Sequence, residues 1–311
     1  MKKLFILSLL ALSYQTASAQ SLLETFGSGA NQFTMDFVTI GNPGNAADTT
    51  GSPNPAGSVA YTYNLGKYEV SRDMIDKANS AGGLGITITD MSSYGGNGVN
   101  RPATGITWYQ AAKFVNWLNT SIGGTAAYKF DGSGTFQLWS EGDAGYDANN
   151  LFRNSLAKYV IASSNEWYKG AYGNLDGTWN NYATGSDSAP TAVASGTAAN
   201  TAVYNGQSGP ADIFSAGGLS AYGTMAQGGN VFEWVETAQD GSNNITDENR
   251  ESRGGRWNST NGSLSASTRV NLGLAPSGEN SPYIGFRVAS VPEPSTLSLL
   301  AVGLALIRRR K

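Results

Sequence analysis

The sequence of 311 residues contains no cysteine and no histidine. Without cysteine there is no disulfide to staple the fold and no thiolate to hold a soft metal. Without histidine there is no Ser-His-Asp triad, no Cys-His dyad, no imidazole-bound zinc or iron, and the commonest general base is missing. Charge is thin as well, at 14 % of residues, whereas glycine is plentiful, at 40 positions. That balance predicts a domain rich in turns and ordered loops, held by core packing, aromatic burial or bound ions.

Apolar runs are confined to the two ends. At the front, Lys2 and Lys3 precede the apolar stretch Leu4 to Leu12, and Ala17-Ser18-Ala19 has the small-x-small pattern of a cleavage site. This order reads as a secretory signal peptide over residues 1–19, cut by signal peptidase before Gln20, rather than as an N-terminal core helix. At the back, Pro292-Glu293-Pro294 is followed by an apolar segment from Thr296 to Ile307 and a basic end, Arg308 to Lys311. The segment is shorter than the roughly 20 residues of a comfortable span, and the basic cluster favours the cytoplasmic side. Residues 291–311 therefore read as a sorting tail that anchors the chain transiently in the inner membrane. The alternative is a permanent single-pass anchor.

Between the ends lie about 270 residues, enough for one domain with a substantial core. Residues 20–290 carry 14 basic and 22 acidic side chains. An acidic surface argues against a nucleic-acid partner and suits divalent cations.

The periodicity gives a coarse α+β order. Phe33 to Ile40 alternates as a strand, Ala60 to Val70 reads as a hairpin, and Ser71 caps a short helix over Arg72 to Asn79. Thr107 and Gln110 have capping-box spacing ahead of a helix bearing Trp108, Ala111, Val115 and Leu118 on one face. Phe130 to Asn154 is a polar insertion, and Ser163 with Glu166 opens a further helix to Tyr172. Gly173 to Gly209 is turn-rich, and Tyr283 to Ala289 is a final strand. Nothing in this order has a βαβ rhythm, which favours segregated elements.

Five segments, in order, resemble the formylglycine-generating enzyme, or sulfatase-modifying factor, family. They are YNLGKYEVS from Tyr63, RPATGITWYQAAKFVNWLN from Arg101, YVIASSNEWYKGAYG from Tyr159, YGTMAQGGNVFEW from Tyr222, and RGGRW from Arg253 with IGFRVA from Ile284. The order Pro-Glu-Pro, apolar segment, basic end resembles the PEP-CTERM sorting signals of Gram-negative bacteria. The first resemblance implies a loop-rich, C-type-lectin-like fold of the sulfatase-modifying factor type. The second implies recognition by an exosortase, removal of the tail, and delivery to the cell surface or extracellular matrix.

The same resemblance locates the family's chemistry. Its oxidases hold copper with two cysteines just after the RGGSW-like segment, and the matching positions here are Ser259 and Leu264, neither of which can act as a thiolate. A related branch uses histidine-bound iron, and this chain has no histidine. Neither copper nor iron is expected, no catalytic residue is assigned, and the family activity is not carried over. The GNVxEW segment of the family supplies calcium ligands, which implies a calcium site at Asn230, the Val231 carbonyl and Glu233. Alternatively, Asn230 and Glu233 serve only local hydrogen bonds. A second family site would fall near Asn200.

Other residues read directly. The aromatics of NEWY, VFEW and GGRW suit core anchors, Gly228-Gly229 and Gly254-Gly255 suit tight turns where they converge, and Arg253, Arg269 and Arg287 suit bridges between loops. Glu233, Glu236 and Asp240 are candidate carboxylates for glycoside hydrolysis, though their spacing matches that of solvated surface acids. Tyr204, Trp179 and Trp257 are candidate ligand contacts. The reading that follows is an exported, non-catalytic surface or matrix module binding a polysaccharide or protein ligand. The alternatives are an enzyme with an unrecognised site on the same scaffold and a purely structural matrix component.

Overall fold

The computed structural model describes residues 21–269, 274–278 and 281–292. The signal-peptide reading, and the tail beyond residue 292, lie outside the described residues. Among the described residues no helix is long and apolar enough to cross a membrane.

The chain begins with two strands that the hydrophobic pattern treats unequally. β1 (Ser21–Phe26) is largely exposed and β2 (Phe33–Ile40) largely buried. They pair antiparallel from Ser21↔Val38 to Phe26↔Phe33. A long loop leads to β3 (Tyr63–Gly66), which pairs with β2 on one edge. The expected hairpin over Ala60 to Val70 is therefore a single strand, because its other edge is taken by a strand from the far end of the chain.

Three helices follow the signals in the sequence. α1 (Arg72–Gly82) is capped by the Ser71 hydroxyl, which accepts from the Met74 N–H, and runs three residues past the expected Asn79 to a left-handed Gly83. α2 (Trp108–Ser121) opens with the Thr107/Gln110 capping box and buries Trp108, Ala111, Ala112, Phe114, Val115 and Leu118. The polar insertion carries a short hairpin, β4 (Lys129–Phe130) and β5 (Phe136–Gln137). β6 (Tyr159–Ile161) then leads into α3 (Ser164–Tyr172), whose capping box is Ser163/Glu166. The turn-rich stretch holds only the short parallel pair β7 (Thr191–Ala192) and β8 (Thr201–Ala202).

The closing strands join two sheets. β9 (Phe232–Ala238) is flanked by β10 (Arg250–Arg253), antiparallel, and by β11 (Ile284–Phe286), parallel. One residue later β12 (Val288–Ser290) enters the larger antiparallel sheet, ordered β1-β2-β3-β12-β6. The single final strand expected over Tyr283 to Ala289 is thus split at Arg287. Its fully buried guanidinium donates to the Gly66 carbonyl in one sheet and to Glu233 in the other. Few regular elements, much ordered loop and segregated sheets make this the α+β, loop-rich fold expected of the sulfatase-modifying factor type.

The motif aromatics fill the space between these layers. Trp108, Trp167 and Trp234 are fully buried, and each ring N–H has an acceptor: the Val235 carbonyl, Glu233 and the Ile106 carbonyl. A buried indole needs that partner, since an orphaned donor forfeits its hydration for nothing. The two glycine pairs meet as the sequence predicts. Gly229 N–H donates to the Gly254 carbonyl at 2.7 Å. A methyl group on Gly229 would lie 2.4 Å from the Val203 carbonyl oxygen, and one on Gly254 would lie 2.6 Å from that of Gln227.

Candidate functional site

The two positions that the family fills with cysteine are built as structure. Ser259 is half-buried, and its hydroxyl accepts from the Arg256 N–H at 3.1 Å. Leu264 is 1 % exposed and packs with Ala202 and Tyr204. A short 3-10 turn, Asn261–Leu264, separates the two. Neither side chain offers a soft donor, so a copper-thiolate centre does not fit here.

The GNVFEW segment is turned inward. Asn230 sits at φ +58°, a left-handed conformation that asparagine tolerates. Its amide NH₂ donates to Glu69 Oε2 at 2.6 Å, and its amide oxygen accepts from the Ala211 N–H at 2.7 Å. Glu233 is fully buried and receives Arg287 as a fork, at 2.6 Å on Oε2 and 2.5 Å on Oε1, plus the Trp167 indole at 2.7 Å. Both carboxylate oxygens and the amide oxygen are therefore engaged by nitrogen donors, and a guanidinium already balances the charge. As placed, these side chains do not fit a calcium shell, which needs their oxygens free to converge on one point. Glu69 completes the group: it is 1 % exposed, and its Oε1 meets no partner among the described residues. Burial, reinforced by the Glu233 charge, pushes its carboxyl well above the ordinary range. Asn200 lies elsewhere, at the start of β8, with its amide oxygen accepting from the Thr184 hydroxyl.

Two of the three candidate carboxylates are not surface acids. Glu236 is fully buried, as Glu233 is. It accepts from Tyr128 at 2.8 Å, Asn150 at 2.6 Å and Arg153 at 2.8 Å. Arg153 also reaches Glu166, at 3.0 and 3.1 Å. Burial alone would raise the Glu166 carboxyl, but the Arg153 charge and hydrogen bonds outweigh it and hold the group down at about 2. Glu166, held down in this way, has no proton to donate at neutral pH. Asp240 alone is exposed, and it accepts from the Ser242 N–H of its own turn.

Two of the three aromatic ligand candidates are buried. Trp257 is 1 % exposed and Tyr204 is 7 % exposed, its hydroxyl donating to the Pro190 carbonyl. Only Trp179 keeps an edge in solvent, packed against Tyr168 at 5.5 Å. In a domain short of regular elements, rings that look like surface anchors are drawn into loop cores.

One open feature lies above the Arg153 network. A cleft of about 390 Å³ is lined by Asn149, Asn150, Asn165, Asn243 and Asn244, with Thr237 from the end of β9. Asn150 ties it to the network, donating to Glu236 and accepting from Asn243. Asn165, in the first turn of α3, accepts from the Gly57 N–H and is otherwise exposed, as is Asn244. Periodicity gave no sign of this cleft. The only hint in the sequence is a pair of Asn-Asn doublets, at 149–150 within the polar insertion and at 243–244.

Comparison with known proteins supplies the wider setting. Residues 31–291 match the sulfatase-modifying factor enzyme 1-like domain, and residues 290–311 match the PEP-CTERM protein-sorting motif. No curated protein matches the chain. Among solved structures, Treponema denticola variable protein 1 is 19 % identical with a TM-score of 0.58, covering 87 % of this chain and 99 % of its own. CarF is 21 % identical at 0.56, covering 83 % and 98 %. PvdO from Pseudomonas aeruginosa is 18 % identical at 0.55, covering 86 % and 98 %. At these identities the likeness is one of fold.

Proposed function

Because the chain belongs to the sulfatase-modifying factor family and ends in a sorting motif that marks it for exosortase processing, we propose that it is an exported, non-catalytic binding module that holds an extracellular polysaccharide in its asparagine-lined cleft. The observation that carries this reading is the cleft itself: an open hollow half of whose ten lining residues are asparagine. An amide presents a donor and an acceptor side by side, the pattern offered by neighbouring sugar hydroxyls. Its volume lies within the range of small-ligand sites. The Arg153 network beneath fixes Asn150, so part of the lining is preorganised before a ligand arrives. The family's oxidative chemistry forms no part of the proposal, since Ser259 and Leu264 stand where copper ligands would be. Cell surface or matrix is the proposed destination, and a protein ligand is the alternative occupant.

The test is co-sedimentation of the exported protein with the source organism's own extracellular polysaccharide, with and without a chelator. Sedimentation in both conditions supports the reading. Sedimentation lost in chelator, with a lowered melting temperature, would return calcium to Asn230, Val231 and Glu233. No sedimentation in either removes the polysaccharide and leaves a protein partner, a structural role or an unrecognised enzyme.

A further inference from the structure

Seven of the eight arginines among the described residues place the guanidinium in a hydrogen bond or ion pair with another described residue. Arg256 is the exception. Its guanidinium carbon instead lies over an aromatic platform, 3.6 Å from the Tyr283 ring centroid and 5.7 Å from that of Phe232. Tyr283 is itself braced by Trp257 at 5.1 Å and Tyr94 at 6.0 Å. Arg256, Tyr94 and Tyr283 are half-buried rather than covered, and Asn258 beside them is exposed. The backbone N–H of Arg256 is held by the Ser259 hydroxyl, so the turn that carries it is fixed at both ends.

A cation placed over a ring has its face occupied, and among the described residues nothing takes the Arg256 N–H edge. That edge is the planar fork that matches a carboxylate or sulfate oxygen pair. The stacking also removes much of the side-chain entropy that binding would otherwise cost. The half-buried tyrosines beside it leave part of their aromatic surface for a sugar ring. We infer that Arg256, with Tyr283 and Tyr94, forms a second subsite, one that takes the acidic group of a charged sugar, either a uronate carboxylate or a sulfate ester. The subsite is separate from the cleft: Phe232 opens β9 and Thr237 lines the cleft, and five residues of strand span about 16 Å. It stands whether or not the cleft binds a neutral polymer.

The experiment titrates the exported protein with three probes at low ionic strength: alginate oligosaccharide, sulfated dextran and neutral dextran. Binding of at least one acidic probe, weakened by salt and dependent on Arg256 in a way that any binding of neutral dextran is not, is the expected result, and the acidic probe that binds identifies the source of the charge. Arg256→Ala lowers that affinity at least tenfold. Arg256→Lys lowers it less, because it keeps the charge and loses the fork. The cleft pair Asn165→Ala/Asn244→Ala binds the acidic probe as the native chain does. Near-ultraviolet circular dichroism of each variant checks that the aromatic platform is intact. The inference is overturned if both Arg256 variants bind the acidic probe like the native chain, if Arg256→Ala weakens neutral dextran as much as the acidic probe, if the cleft pair abolishes acidic binding, or if neither acidic probe binds.

Discussion

Arg153 lies between two buried acids and shows how single residues carry this fold. Its partners Glu166 and Glu236 are 1 % and 0 % exposed. Removing the cation strands both carboxylates without solvent or counter-charge, so Arg153→Met should destabilise the domain by about 3–5 kcal/mol, read from denaturant midpoints. The two most perturbed carboxyls oppose each other in pH. Glu166 is depressed to about 2 from an ordinary 4.5, so it contributes stability at pH values above 4.5 that is lost as pH falls towards 2. Glu69 is raised by burial and by Glu233, so it weakens the fold as pH rises above 4.5 and the unfolded chain alone ionises. Stability should therefore peak in mild acid. Glu166→Gln should flatten the acid limb, and Glu69→Gln the rise in stability from neutral pH down towards 4.5, in urea titrations run across that range. An acid limb unchanged in Glu166→Gln would disprove the assignment. These residues were visible in the sequence only as acids. Nothing in the spacing of Glu233 and Glu236 announces burial, because their guanidinium partners come from Arg287 and Arg153, 54 and 83 positions away.

At the scale of elements, local chemistry predicts best where it is self-contained. Both capping boxes and the Ser71 cap form as the spacing implies, and Thr107→Ala should cost about 1 kcal/mol in thermal melts. The glycine turns are more demanding. Gly254 lies at φ +95° against the Gln227 carbonyl, so Gly254→Ala should cost about 1–3 kcal/mol, more than the loss of a cap. What local chemistry missed is non-local. The split of the last strand at Arg287 and the single strand in place of a hairpin at Tyr63–Gly66 both arise from pairing with distant segments. β1 has an exposed pattern with no buried face to mark it, and it owes its existence to the edge of β2.

For the molecule as a whole, the segments that resemble the family were legible because their glycines, tryptophans and arginines meet in one place. The cleft was not, because it is assembled from two polar loops, the first turn of α3 and the end of β9, which lie far apart in the chain. Sorting adds a prediction at this scale. In a host lacking exosortase the chain should accumulate with residues 291–311 attached and fractionate with the inner membrane, which intact-mass measurement of each fraction can check. The most direct test of the account is a calorimetric titration of the native chain and the Asn165→Ala/Asn244→Ala pair with the source's extracellular polysaccharide. The account predicts binding by the native chain and a loss of about tenfold or more in the pair, as expected for two hydrogen bonds of about 1 kcal/mol each. Equal affinity in both, with the melting temperature unchanged, would contradict it and leave the cleft without a ligand.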